Sequence, residues 1–199
     1  MRSASVVGQT TAIRRGHELD GEALERYLAE RLNDFHGPLE IRQFEGGQSN
    51  PTYFLKTPAR DYVLRKKPPG QLLPSAHAVD REYRVMRALA ATGVPVPPAL
   101  LMCDDATVIG TPFFIMGCVD GRVFRQPHLP GVSAADRAAM YTDMADVLAR
   151  LHGVDAAAIG LDGQVADIET AAGQRDDRGP RRGVATQVAA GTAAGIRLH

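Results

Sequence analysis

The stretch Asp61–Gly70, Asp-Tyr-Val-Leu-Arg-Lys-Lys-Pro-Pro-Gly, constrains this chain more than any other. Tyr62, Val63 and Leu64 carry the aromatic and branched side chains that suit a pleated, half-buried surface. Arg65, Lys66 and Lys67 follow without a spacer, and Pro68, Pro69 and Gly70 then forbid continuation as helix or central strand. The segment reads as a short strand that ends in fixed positive charge. Taken alone, a strand end with solvated basic residues is the simpler account, so the flanking segments decide. The strand period puts Val63, Arg65 and Lys67 on one face and Tyr62, Leu64 and Lys66 on the other.

Upstream, residues 1–18 are polar and without pattern, a flexible lead-in. Asp20 is placed to cap a helix over 21–32 whose apolar stripe is Leu24, Tyr27, Leu28 and Leu32. After the Gly37-Pro38 break, Leu39, Ile41 and Gln43 alternate with Glu40 and Arg42 as a half-buried strand. A turn rich in Gly, Ser and Asn (Gly46, Gly47, Ser49, Asn50) leads to a second strand, Thr52–Lys56. Thr57–Arg60 then turns into the Asp61 strand. Short connections make these three an antiparallel meander.

Downstream, Ser75 is placed to cap a helix over 76–92, closed by Gly93 and Pro95. Val79, Tyr83, Met86 and Ala90 share one face, and Glu82 falls at its edge, aimed toward the sheet. A surface partner one helical turn away is the other account of Glu82. Ala99–Cys103 and Gly110–Val119 read as further strands, the second apolar enough to be central. Gly117 and Gly121 loosen the chain after it. Ser133 with Asp136 forms a capping box for a helix whose apolar face is Met140, Met144, Val147, Leu148 and Leu151. His152 at its end is most simply a histidine favoured by the helix dipole.

Bulk properties narrow the function classes. The 199 residues carry 23 basic and 23 acidic side chains, so no global field attracts nucleic acid or an anionic membrane. Two cysteines without a CxxC spacing argue against a zinc or disulfide framework and for a reducing compartment. No apolar run approaches the ~20 residues of a membrane span, and Met1–Gln9 has no secretory h-region. The expectation is a cytoplasmic protein with no membrane partner.

The order of parts is that of an ATP-binding, kinase-type small lobe. Gly46 and Gly47 let backbone amides approach phosphate oxygens, although a plain hairpin turn fits them equally well. Ser49 and Asn50 add side-chain donors. Val63 can cover an adenine face while Arg65, two residues on, meets the phosphates and pairs with Glu82. After Met116, the linker offers an adenine edge the Gly117 carbonyl and the Val119 amide.

Asp61–Gly70, Arg81-Glu-Tyr-Arg, Gly93-Val-Pro-Val-Pro, Gly110-Thr-Pro-Phe-Phe-Ile-Met and Leu148-Ala-Arg-Leu-His resemble the aminoglycoside phosphotransferase/choline kinase-like family. The likeness is closest to the branch found beside acyl-CoA dehydrogenases, families 10 and 11, and covers about residues 19–161. It implies an α+β, protein-kinase-like N-terminal lobe over 19–116, an antiparallel sheet plus helix. A linker and the first helix of an incomplete C-terminal lobe follow over 117–161. It implies ATP as cofactor, with Mg2+, and phosphoryl transfer to a small-molecule hydroxyl, of the hydroxyacyl-CoA class in this branch.

The likeness stops at Leu161. The His-Gly-Asp…Asn loop and the later metal-binding Asp of the family are not found, since Asp34-Phe35 and His17–Asp20 precede the nucleotide-binding strands. No catalytic residue and no metal ligand is therefore assigned. Residues 162–199 contain no aromatic and few large apolar side chains. Such a stretch cannot offset roughly 1–2 kcal/mol of backbone entropy per ordered residue, so it is expected to be disordered. It reads as the product of a shifted reading frame in a truncated chain, inactive alone. The readings left open are a kinase fragment, a non-catalytic nucleotide-binding module and a non-functional product. The apolar face of helix 134–152 is expected to drive self-association.

Overall fold

The computed structural model describes residues 10–45, 50–68, 79–121, 124 and 126–161. Its elements are β1 (Thr10–Thr11), α1 (Gly21–Arg31), β2 (Glu40–Phe44), β3 (Thr52–Lys56), β4 (Tyr62–Lys66), α2 (Val79–Leu89), β5 (Ala99–Cys103), β6 (Phe113–Gly117) and α3 (Ala134–His152). They belong to two compact units. One runs to Arg87 and resumes over Pro97–Val119; the other takes Ala88–Val96 and the chain from Asp120. The sequence-based linker boundary at Gly117 thus falls within the first unit, which keeps Gly117, Cys118 and Val119.

The first unit is built on a six-stranded sheet in the order β1-β2-β3-β4-β6-β5. Every pairing is antiparallel. The meander expected from the short turns is β2-β3-β4. β6 is internal, as its continuous apolar run requires, with Phe113, Phe114 and Ile115 fully buried.

One face of the sheet carries Tyr53, Leu55, Tyr62, Leu64, Phe113 and Ile115, packed on Leu24 and Leu28 of α1. Tyr27 meets Phe113 edge-on at 5.8 Å. Asp20 caps α1 as expected, its Oδ1 accepting from the Ala23 amide at 2.9 Å. Asp20→Ala is expected to cost about 1 kcal/mol, read as a lowered urea midpoint with unchanged slope. An unchanged midpoint would show the cap to be dispensable.

Residues 10–18, read from sequence as lead-in, contribute structure of their own. β1 pairs with β2, Thr10 opposite Phe44. Gln43, 1% exposed, binds the segment: its Oε1 accepts from the Arg14 amide at 2.9 Å and its Nε2 lies 3.0 Å from His17 Nδ1. Tyr53 donates its hydroxyl to the His17 carbonyl at 2.7 Å. Residues 1–9 lie outside the described residues.

Burial pushes the Tyr53 phenol from the ordinary 10.0 up to about 12. A raised acid is held in its protonated form by the fold, so this stabilisation is complete below the ordinary value and is lost as pH rises through about 12. Urea unfolding across that window should show alkaline destabilisation that Tyr53→Phe reduces, at a cost of about 1 kcal/mol near neutrality for the lost hydrogen bond. An identical alkaline profile in the variant would place the effect elsewhere.

In the second unit, Ser133 caps α3 as the capping box requires, accepting from the Asp136 amide at 3.1 Å. Arg150 donates to the Gly93 carbonyl at 3.4 Å. Of the expected apolar face, Met140 is buried, while Met144 and Leu148 are exposed together with Tyr141. The expectations for 162–199 fall outside the described residues.

Candidate functional site

The second face of the sheet carries the candidate site. On β4, Val63 and Arg65 point away from α1, while Tyr62 and Leu64 point into the α1 core. Val63 lies opposite Phe54 on β3 and Met116 on β6, and Arg65 opposite Thr52 and Phe114. Phe114 in turn meets Tyr83 of α2 at 6.0 Å. α2 therefore covers the end of this face where the cation emerges, and Val79 at its start is fully buried.

The two sequence periods converge here. Arg65 Nε lies 2.6 Å from Glu82 Oε2, and Arg65 Nη2 donates to Glu82 Oε1 at 3.2 Å. The closer contact is a charge contact rather than an aligned hydrogen bond, because Nε–H does not point along it. The pair is half-buried, with side-chain exposures of 25% and 37%, in a region where water screens it only in part. Among the described residues the ion partner of Glu82 is Arg65, and the i,i+4 ion pair of α2 is Arg84 with Asp80.

Asn50 joins the pair. Its Nδ2 donates to the same Glu82 Oε1 at 2.9 Å. The sequence pattern placed Asn50 among the phosphate donors; the structure turns its carboxamide onto α2. Gly46, Gly47 and Ser49 lie outside the described residues, as does Ser75.

The three cations of the opening stretch separate. Lys66 is 6% exposed and sits on the α1 side with its Nζ 5.6 Å from the Tyr53 ring centroid. Burial lowers its pKa, and the Glu18 carboxylate opposes that shift. Lys67 is half-buried, its amide donating to the Pro112 carbonyl at 3.4 Å. Arg65 alone of the three meets Glu82.

The linker residues begin at the C-terminal end of β6. Gly117 ends β6 opposite Tyr62, its amide donating to the Pro98 carbonyl at 2.9 Å. A Cβ on Gly117 would meet Pro98 and Arg60 on the α1 side. Met116 and Cys118 accordingly sit on the face of Val63 and Arg65. Val119 closes the unit. The structure thus brings together Asn50, Arg65 and Glu82 at one end of the face. Val63 and Met116 are paired along it, Gly117 ends β6 and Val119 follows two residues later.

A magnesium ion needs several hard oxygen ligands. Among the described residues no three His, Cys, Asp or Glu side chains cluster, and the Glu82 carboxylate is engaged by Arg65 and Asn50. The described residues do not form a seat for the ion, and no step is assigned to it. Among the described residues no helix is long and apolar enough to cross a membrane.

The model of the phosphotransferase enzyme family (APH) matches residues 40–196. The chain belongs to this family. The match runs through the compositional change after Leu161. The chain is 48% identical over 157 residues to mouse acyl-CoA dehydrogenase family member 10, covering 78% of this chain and 15% of that protein. It is 47% identical over 161 residues to rat acyl-CoA dehydrogenase family member 11, covering 79% of this chain and 21% of that one. Among solved structures, a Ralstonia eutropha protein assigned as an aminoglycoside phosphotransferase superposes with a TM-score of 0.62 at 47% identity, over 73% of this chain and 42% of that one. The fold is therefore the α+β, kinase-like fold of the phosphotransferase family. The chain spans less than half the length of each of these relatives.

Proposed function

We propose that this chain supplies the nucleotide-binding part of an ATP-dependent phosphotransferase that acts on a small-molecule hydroxyl. The observation that carries the reading is the two-point Arg65–Glu82 contact at the end of the sheet face that also bears Val63 and Met116. A guanidinium held by a carboxylate on a neighbouring helix presents its remaining donors in a fixed direction, as positioning of a phosphate requires. Val63 and Met116 provide an apolar surface for the base, and the Gly117 carbonyl and Val119 amide its hydrogen-bonding edge. Gly46, Gly47 and Ser49 are assigned to the phosphates by the sequence pattern alone.

The acceptor proposed is a hydroxyacyl-CoA, by likeness to relatives named as acyl-CoA dehydrogenases. A second reading, nucleotide binding without turnover by this chain alone, is favoured by residues 1–161, which hold no His-Gly-Asp loop. Thermal melts with ATP, in the presence and absence of Mg2+, test the shared claim, and release of ADP with a hydroxyacyl-CoA present separates the two readings. No ATP-dependent shift at millimolar nucleotide would overturn both.

A further inference from the structure

Asn50 stands two residues before β3, and it is 4% exposed. The backbone on its C-terminal side is held twice: Thr52 donates its hydroxyl to the Asn50 carbonyl at 3.1 Å, and the Lys66 amide donates to the Pro51 carbonyl at 3.1 Å. Its side chain gives a hydrogen bond to Glu82 Oε1, the oxygen that also accepts from Arg65 Nη2. A carboxylate accepts and never donates, so Glu82 fixes which way the Asn50 carboxamide faces.

Glu82 stands on a helix with three rotatable side-chain bonds. Of its two contacts with Arg65 only the one from Nη2 is an aligned hydrogen bond, so Arg65 by itself holds the carboxylate through a single aligned bond and one charge contact. A short, buried donor arriving from β3 supplies the further point of attachment that selects one rotamer. We propose that Asn50 is a positioning residue of the nucleotide site. It acts through Glu82 to fix the direction of Arg65, and does not bind phosphate itself. The inference rests on the nucleotide-binding reading above and adds a residue role to it.

The test is a set of full-length variants: wild type, N50A, E82Q, N50A/E82Q, N50D and N50D/E82Q. Each is titrated with a fluorescent ATP analogue and unfolded in urea. N50A should weaken the analogue about tenfold, the scale of one hydrogen bond to a charged group. In the E82Q background, N50A should weaken it less than about twofold, since coupled residues are not additive. N50D sets two carboxylates face to face and should bind more weakly than N50A. N50D/E82Q restores a donor–acceptor pair with its polarity reversed and should recover part of the loss.

An equal loss from N50A in both backgrounds, or no recovery in N50D/E82Q, would assign Asn50 to the nucleotide and overturn the proposal. Additive urea midpoints would also overturn it, with or without nucleotide. If wild type ignores the analogue while the midpoints are non-additive, the nucleotide reading falls, and the role given to Asn50 in that site falls with it. The Asn50–Glu82 coupling alone would then stand.

Discussion

Arg65→Ala is expected to remove the thermal shift given by ATP while leaving a folded protein. Each charge-assisted hydrogen bond from a guanidinium to a phosphate contributes about 1.5–3 kcal/mol, so affinity should fall about 10- to 100-fold. The stability cost is smaller. The Arg65–Glu82 pair is neither sealed nor fully exposed, at 25% and 37% side-chain exposure. Its loss therefore falls between the values for surface and buried pairs, about 1–2 kcal/mol after allowance for solvent screening. Arg65→Lys keeps the charge but cannot reproduce contacts through both Nε and Nη2. It should rank between wild type and Ala. An unchanged shift in Arg65→Ala would exclude this cation from the site.

The largest loss of stability should follow truncation on the opposite face. Leu64 is fully buried, flanked by Tyr53 and Ile115 across the sheet and packed in the cluster that holds Leu24 and Leu28. Leu64→Ala removes apolar contact on several sides in a strand that cannot close the gap. The expected cost is about 2–5 kcal/mol, a large share of a typical domain's stability of about 5–15 kcal/mol. Met144, 51% exposed on α3, is the control. Met144→Ala should change the urea midpoint by less than about 0.5 kcal/mol equivalent. Comparable losses from the two variants would mean that the α1 face of the sheet is not the core of the first unit.

Much of the first unit was legible in sequence because its signals are apolar and periodic. Leu24 and Leu28, the β3-β4 turn and the run Phe113–Ile115 follow patterns that depend only on which residues avoid water. The meeting of Arg65 with Glu82 was legible too, since a period of two and a period of 3.6 together aim both side chains.

What stayed hidden is polar or remote. β1 is two threonines paired with β2, and the segment after it is tied down through a buried glutamine that meets the Arg14 amide and His17, contacts that no apolar pattern announces. Lys66 looks like its neighbours in sequence; an aromatic ring on β3 takes it into the interior. Asn50, after two glycines and a serine, reads as a phosphate donor, and nothing in that pattern announces its bond to Glu82. Its partner stands 32 residues away on a helix, a proximity that arises from the packing of α2 on the sheet.

The alternation on β4 has one more consequence. Leu64, Arg65 and Lys66 point in, out and in, and the turn before them is closed by reciprocal bonds between Thr57 and Arg60, at 2.6 and 3.3 Å. A hairpin displaced by one residue would reverse every side chain. It would drive a guanidinium against Leu24 and Leu28 and present an aliphatic or ammonium group to Glu82. The first error costs free energy by burying a charge against aliphatic side chains, and the second forfeits the two-point guanidinium contact with Glu82. The Arg65–Glu82 pair therefore also acts as a parity check on strand alignment: a chain that mispairs its hairpin disrupts its core and loses the guanidinium contact together.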